Sequence, residues 1–204
     1  SMFEGAAQVS SYYAAALERG NPAIAMTETA CMRSISEQAK QTFLHGLRSI
    51  YGTEFNVCGD MRRKALGEEE KKAITRGKPH SEWRALIEKA ESERGQKSTG
   101  LTAWVRDDDG FKNIFTLSSR SWIDGFYYEP KIDLEELEKF SKGLSVGTYG
   151  PNGLIISRLQ RGQRRKALEI ADRLWEIFGP ERFWFEIQSH PLLVHSTANQ
   201  LTIE

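Results

Sequence analysis

The sequence has few of the residues and patterns that mark specialised classes of protein. It has two cysteines in 204 residues, Cys31 and Cys58, and they do not form a Cys-x-x-Cys pair. That usage favours a reducing compartment over a disulfide-bonded scaffold. No apolar run approaches the roughly 18 residues of a membrane span, and no signal-peptide pattern is present. We therefore expect a cytoplasmic protein.

Neither sign of charge is in excess. Lysine plus arginine number 28 and aspartate plus glutamate number 28, so the formal net charge is zero. Such a chain has no global field to attract a nucleic acid or a membrane surface. Its 27% charged and 39% hydrophobic content is ordinary for a globular domain. Composition therefore predicts one domain with a substantial core and leaves its function open.

A βαβ unit near the start organises the chain. Two short apolar runs, residues 23–26 and 55–57, flank a polar segment whose residues 36–47 favour a crossover helix. This pattern predicts two parallel strands side by side. Glu28 follows the first strand, at the edge of the sheet where α/β folds usually place their functional residues. Glu54 opens the second strand, so the pattern leaves open whether it reaches the same edge.

Strands and helices continue to alternate after this unit. We predict further strands at 101–105, 144–146 and 183–188 and helices at 111–121, 134–141 and 163–178. The alternation indicates an α/β fold with a mainly parallel sheet. Five visible strands are too few for an eight-stranded barrel, so either strands are missing or the sheet is open. Residues 60–97 are rich in charge and favour a helical insertion.

Seven segments of the chain, in their order and in their amino-acid sequence, resemble the PHP (polymerase and histidinol phosphatase) domain at the start of bacterial DNA polymerase III alpha subunits. The segments are 2–7, 20–29, 46–54, 101–114, 130–133, 162–168 and 186–190. The resemblance implies a distorted β/α barrel whose strand ends carry up to three metal ions, where metal-bound water attacks a phosphate ester. It divides the chain into a PHP-like domain at 2–192, containing the insertion at 60–97, and a tail at 193–204.

Compared with that family, the chain resembles an incomplete barrel. The family's first strand, with its His-x-His pair, would precede Met2, and its closing strand would follow Glu204. Thr27-Glu28-Thr29 stands where the family has Thr-Asp-His, and Gly100 stands where it has a histidine.

The resemblance leaves four candidate metal ligands, which are Glu4, Glu28, Glu54 and His190. A metal ion needs three or more converging ligands, often with imidazole among them. Three carboxylates and one imidazole allow at most a single weakly bound Mg²⁺ or Mn²⁺, since hard cations accept oxygen ligands. They do not make a two-metal or three-metal phosphoesterase centre.

The resemblance leaves two possible functions for the chain. The first is a replication-associated, catalytically inactive PHP-like domain, of phage origin or from a split polymerase subunit. It would act as a scaffold for a polymerase or replisome protein, or pair with a second copy through an open sheet edge. The alternative is a metal-dependent phosphoesterase or 3′–5′ exonuclease that acts on DNA through the four ligands.

A basic cluster offers a separate possibility of DNA contact. Its residues could bind nucleic-acid phosphates, or they could form a solvated helix start balanced by Glu169 and Asp172. The cluster consists of Arg158, Arg161, Arg164, Arg165 and Lys166.

Overall fold

The computed structural model describes residues 7–62, 66–93, 98–188 and 193–203. The strands are β1 Ala23–Thr29, β2 Arg48–Cys58, β3 Thr99–Val105, β4 Ile132–Asp133, β5 Leu144–Gly147 and β6 Phe183–Trp184. The helices are α1 Val9–Glu18, α2 Ile35–His45, α3 Glu68–Thr75, α4 His80–Glu93, α5 Asp108–Ile123, α6 Leu134–Lys139, α7 Ile156–Leu159, α8 Arg164–Phe178 and α9 Leu193–Ile203, with a 3₁₀ turn at Gly150–Asn152. No helix in this described part is both long and apolar enough to cross a membrane.

The six strands form one mixed sheet in the order β1-β2-β3-β5-β6, with β4 paired to the end of β2. Strand β2 runs parallel to β1 and β4, and β5 runs parallel to β6. Strand β3 is antiparallel to both of its neighbours, β2 and β5. The predicted α/β class is confirmed, and the described sheet is mixed because β3 alone runs opposite to the other five strands.

The insertion explains why β3 reverses the chain. Helices α3 and α4 pack on each other, and β3 then starts with Thr99 paired to Val57, beside the end of β2. The connection therefore works as a long hairpin loop and not as a crossover, so the returning strand is antiparallel. The sheet formed by the described strands is open, with β1 and β4 at one edge and β6 at the other. The predicted barrel is not closed in this part of the chain.

One face of the sheet carries the hydrophobic core. Side chains alternate along each strand, so Phe55, Leu101 and Val146 point to the same face and are fully buried there. Helices α5 and α8 cover this face with Ile114 and Leu174. A smaller apolar cluster beside β1 includes Tyr13, Ala16 and Leu47, so α1 covers the first strand of the same sheet. We call this side the helix-covered face.

Element boundaries match the sequence best where helical periodicity is long. The prediction for 163–178 differs from α8 by one residue. Strand β4 has only two residues and was not predicted, and β6 is much shorter than the predicted 183–188. Helix α9 lies where the sequence pattern fades, and it packs against α7 and the 3₁₀ turn.

A buried carboxylate fixes the base of the insertion to the core helices. Glu136 on α6 is fully buried and forms ion pairs with Arg62 at 2.8 Å, with Arg120 at 2.5 Å and with Lys139 at 3.2 Å. Asp133 caps α6 by accepting a hydrogen bond from the Glu136 N–H at 2.9 Å, and its second oxygen accepts from the Met61 N–H at 3.1 Å.

The pKa of Glu136 lies below its ordinary value of 4.5. Burial alone raises this pKa, but hydrogen bonds from Lys139 and Arg62, together with the charge of Arg120, outweigh burial. The ionised form is therefore favoured in the folded state. Its stabilising contribution is present above the ordinary value and is lost as the pH falls through the lowered pKa.

We predict that Glu136→Gln lowers the free energy of unfolding by about 2 kcal/mol at neutral pH, because charge-assisted hydrogen bonds in a buried site are lost. It should also flatten the loss of stability between neutral and acidic pH. Urea unfolding followed by circular dichroism at several pH values measures both effects. The exposed neighbour Glu135, which contacts Lys139, is the control, and Glu135→Gln should change little. Equal effects of the two substitutions would contradict the assignment.

Candidate functional site

The sheet face opposite the helix-covered face is polar. We call it the polar face and define it by the strand residues that share its side, namely Thr27, Thr29, Gly52, Glu54, Gly100, Thr102, Trp104 and Gly147. These residues come from four neighbouring strands, and period-two alternation places them on one side. Three of these residues are glycines, so the backbone of the polar face carries no side chain at those positions.

Glu54 is the acidic centre of the polar face. Its carboxylate accepts hydrogen bonds from the hydroxyl of Thr27 at 3.0 Å, of Thr29 at 3.3 Å and of Tyr149 at 3.4 Å. All three donors are neutral, and the carboxylate is half-buried. Its oxygens are thus engaged by the chain's own hydroxyls.

Glu28 points to the other side of the sheet. The parallel register pairs Glu28 with Thr53 and Thr29 with Glu54, and paired residues share a face, so the two glutamates point in opposite directions. One carboxylate oxygen of Glu28 accepts from the Ser34 N–H at 2.7 Å and from the Ser34 hydroxyl at 2.8 Å. Glu28 therefore satisfies donors at the start of α2, where a negative charge is favourable.

The loop after β5 reaches over the polar face. Tyr149 adopts a left-handed conformation, with φ 61° and ψ 21°, which is uncommon outside glycine. Its N–H donates to the Glu186 carboxylate at 3.1 Å, and the Glu186 N–H donates to the Thr148 hydroxyl oxygen at 2.9 Å. These reciprocal bonds hold the loop against the chain that follows β6.

Two glycines provide the space for these side chains. A Cβ on Gly100 would lie 1.9 Å from a carbon of the Tyr149 ring, so the ring rests directly on the β3 backbone. A Cβ on Gly147 would lie 2.1 Å from a carboxylate oxygen of Glu186 and 2.6 Å from the Trp104 ring. Any side chain at position 100 would therefore displace the Tyr149 ring.

The predicted metal ligands are only partly described. Glu4 and His190 lie outside the described residues, and Glu28 and Glu54 do not converge. Within residues 7–62, 66–93, 98–188 and 193–203, no three histidine, cysteine, aspartate or glutamate side chains converge to hold a metal ion. Among the described residues, the hydrogen-bond donors around Glu54 are neutral hydroxyls, and one carboxylate with hydroxyls does not fit the ligand demand of a phosphoesterase metal centre.

Cys58 does not offer a nucleophile in place of metal chemistry. Both Cys31 and Cys58 are free thiols. Burial raises the pKa of Cys58 to about 11, and the negative charge of Asp133 adds to that effect. The Cys58 thiol is consequently protonated at neutral pH, and it is not a thiolate nucleophile.

The basic cluster lies at the start of α8, and its members differ in their contacts. Arg158 is half-buried and donates to the Leu154 carbonyl oxygen at 2.6 Å. Burial lowers the pKa of Arg158, and the nearby charge of Arg161 lowers it further. Arg165 pairs with Glu169 at 2.9 Å. Arg161 and Arg164 are exposed, and neither makes an ion pair or side-chain hydrogen bond with the described residues.

Sequence reasoning identified Glu54 but not the residues that surround it. Thr27 and Thr29 could have been found, because β1 and β2 were predicted as parallel neighbours. Tyr149 gave no such signal, because its approach to Glu54 depends on the path of a glycine-rich loop. Glu186 was noted only as part of a family segment, and its role in holding that loop follows from the fold.

Comparison with known proteins shows the family. The PHP domain family matches residues 1–190, so this chain belongs to it. The chain is 28% identical over 208 residues to DNA polymerase III subunit alpha of Saccharopolyspora erythraea, covering 98% of this chain and 16% of that protein. It is 30% identical over 199 residues to DNA polymerase III subunit alpha of Mycobacterium tuberculosis, covering 95% of this chain and 16% of that protein.

The predicted relationship to the polymerase subunit is thereby confirmed: the chain is a PHP domain homologous to the PHP region of DNA polymerase III alpha. It spans about one sixth of the length of these relatives. A solved structure of a candidate metal-dependent phosphoesterase from Bifidobacterium adolescentis is also similar. It shares 12% sequence identity with a TM-score of 0.41, over 90% of this chain and 82% of that chain.

Proposed function

We propose that this chain is a replication-associated PHP-like domain without phosphoesterase activity, which acts as a scaffold or interaction module. The observation that carries the proposal is the environment of Glu54, whose carboxylate is engaged by three hydroxyls of the chain itself. Homology to a polymerase subunit supports the association with replication. We place the protein in the cytoplasm and favour a phage gene or a split polymerase subunit as its origin.

Lack of activity follows from what a metal centre requires. Hydrolysis of a phosphate ester through bound metal needs several anionic or imidazole ligands that hold the ion in fixed geometry. Thr29 and Gly100 occupy the two positions where the family resemblance expects an imidazole. The Thr29 hydroxyl bonds to Glu54, and Gly100 supports the Tyr149 ring. Both positions thus contribute to a hydrogen-bonded, internally packed site.

A scaffold role is supported by the open sheet. We infer that 2–192 is a distorted PHP-like domain with an insertion at 60–97 and a tail at 193–204. Beside the β6 edge, Trp184, Phe185 and Ile187 leave 54%, 51% and 60% of their surface exposed. An extended segment of a polymerase or another replisome protein could pair with this edge and cover the apolar side chains.

The alternative function is an active phosphoesterase or exonuclease that uses Glu4, Glu28, Glu54 and His190. We predict that the chain does not cleave fluorescent single-stranded DNA when Mn²⁺ is added, because the donor set around Glu54 does not hold a catalytic ion. A time course on denaturing gels measures this. Manganese-dependent cleavage that disappears in Glu54→Gln, but persists in the exposed control Glu88→Gln, would contradict the proposal.

DNA contact through the basic cluster is a separate proposal, and it is supported by the exposed guanidinium groups of Arg161 and Arg164, which make no ion pair with the described residues. Replacing both with alanine should weaken binding of a single-stranded oligonucleotide at low salt. It should also reduce the slope of log affinity against log salt by about 1.4, since each single-strand phosphate contact contributes roughly 0.7. Fluorescence anisotropy measures both quantities. Arg84→Ala on the insertion is the matched control, because Arg84 is paired with Glu88; an equal loss there, or an unchanged slope in the double variant, would refute the proposal.

A further inference from the structure

The loop that follows β5 is held in a conformation that its own sequence does not favour. Tyr149 and Gly150 both have positive φ, at 61° and 60°. Glycine adopts this region freely, whereas a tyrosine there brings its Cβ close to its own backbone. Contacts elsewhere in the fold must therefore stabilise Tyr149 in place.

The backbone of the loop is tied down on two sides. On one side, the Tyr149 N–H donates to the Glu186 carboxylate at 3.1 Å, while Thr148 is buried and accepts from the Glu186 N–H. On the other side, the Leu154 N–H donates to the Gly100 carbonyl oxygen at 3.0 Å. The loop consequently bridges β3 and the segment after β6.

The Tyr149 ring occupies the space above Gly100. A Cβ at position 100 would come within 1.9, 2.3 and 2.5 Å of three ring carbons, which is far inside contact distance. The ring thus lies on bare backbone, and its hydroxyl reaches the same Glu54 oxygen that Thr29 contacts. At 3.4 Å this hydroxyl bond is longer than the 3.0 Å bond from Thr27, so the packed ring contributes more than the hydroxyl to closing the site.

We propose that Tyr149 is an internal cover of the polar face, which lies over the approach to Glu54 and restricts the access of outside ligands to that carboxylate. The cover opens when the Tyr149 ring rotates away from Gly100. This inference extends the proposed function, because a carboxylate engaged and covered by its own chain serves the fold and not a substrate.

Carboxyl footprinting tests the cover directly. The full chain is treated with a water-soluble carbodiimide and glycine ethyl ester, and labelling of Glu54 is followed by mass spectrometry relative to the exposed Glu88. Tyr149→Gly removes the ring and places glycine at a positive φ, so the backbone is relieved and folding is favoured. We expect a several-fold faster labelling of Glu54 in Tyr149→Gly than in the unmodified chain. In Tyr149→Phe, where the ring remains, we expect only a small increase.

Tyr128 provides a matched control within the same chain. It is also a tyrosine with positive φ, at 58°, but it is 87% exposed. Tyr128→Gly makes the same backbone change and should leave Glu54 labelling as it is. Equal labelling of Glu54 with and without the Tyr149 ring would overturn the proposal, and so would an equal rise in Tyr128→Gly or in Tyr149→Phe.

The outcome is separable from that of the proposed function. Manganese-dependent DNA cleavage by the unmodified chain would refute the lack of activity, whatever the labelling shows. Unchanged labelling in a chain that does not cleave DNA would refute the cover alone.

Discussion

Hydrogen bonding along both edges of β2 is the constraint on which the rest of the structure depends. This strand pairs with β1 and then β4 on one edge and with β3 on the other, so its direction and register orient most of the sheet. Because side chains alternate, the same pairing sends Phe55 into the core and Glu54 to the polar face. A shift of one residue would exchange these two environments and bury a carboxylate among apolar helices. The register is therefore strongly specified by burial.

The described polar face differs chemically from a metal centre, although the chain belongs to the PHP family. A metal centre gathers charged or imidazole ligands around a cation, whereas the described polar face gathers neutral hydroxyls around the Glu54 carboxylate. The Glu54 carboxylate accepts hydrogen bonds from the hydroxyls of Thr27, Thr29 and Tyr149. Gly100 leaves the space that the Tyr149 ring occupies. The result is a site that stabilises a loop across three strands.

Local sequence patterns predicted much of this fold, but they did not predict which residues far apart in the sequence pair with each other. Helix α8 was predicted almost to the residue, because fifteen residues with an apolar stripe give a strong signal. Strand β4 was missed because two residues carry no periodicity, and its pairing with Val57 depends on chain far away in sequence. The sequence did not predict the direction of β3, because a charged insertion can lead either to a crossover or to a hairpin return. In the same way, the sequence placed Glu28 near the rim without deciding whether Glu54 reaches it, and only the register shows that the two glutamates point to opposite faces.

In the proposed function, the Glu54 carboxylate serves the fold's own hydrogen bonding and does not hold a metal ion. A titration of the full chain with Mn²⁺, followed by the electron paramagnetic resonance signal of the free ion, measures whether a metal ion binds there. We expect only binding with a Kd on the order of 1 mM or weaker, as for sites with few charged ligands. One equivalent of Mn²⁺ bound with a Kd of about 10 μM or tighter, and lost in Glu54→Gln, would contradict it.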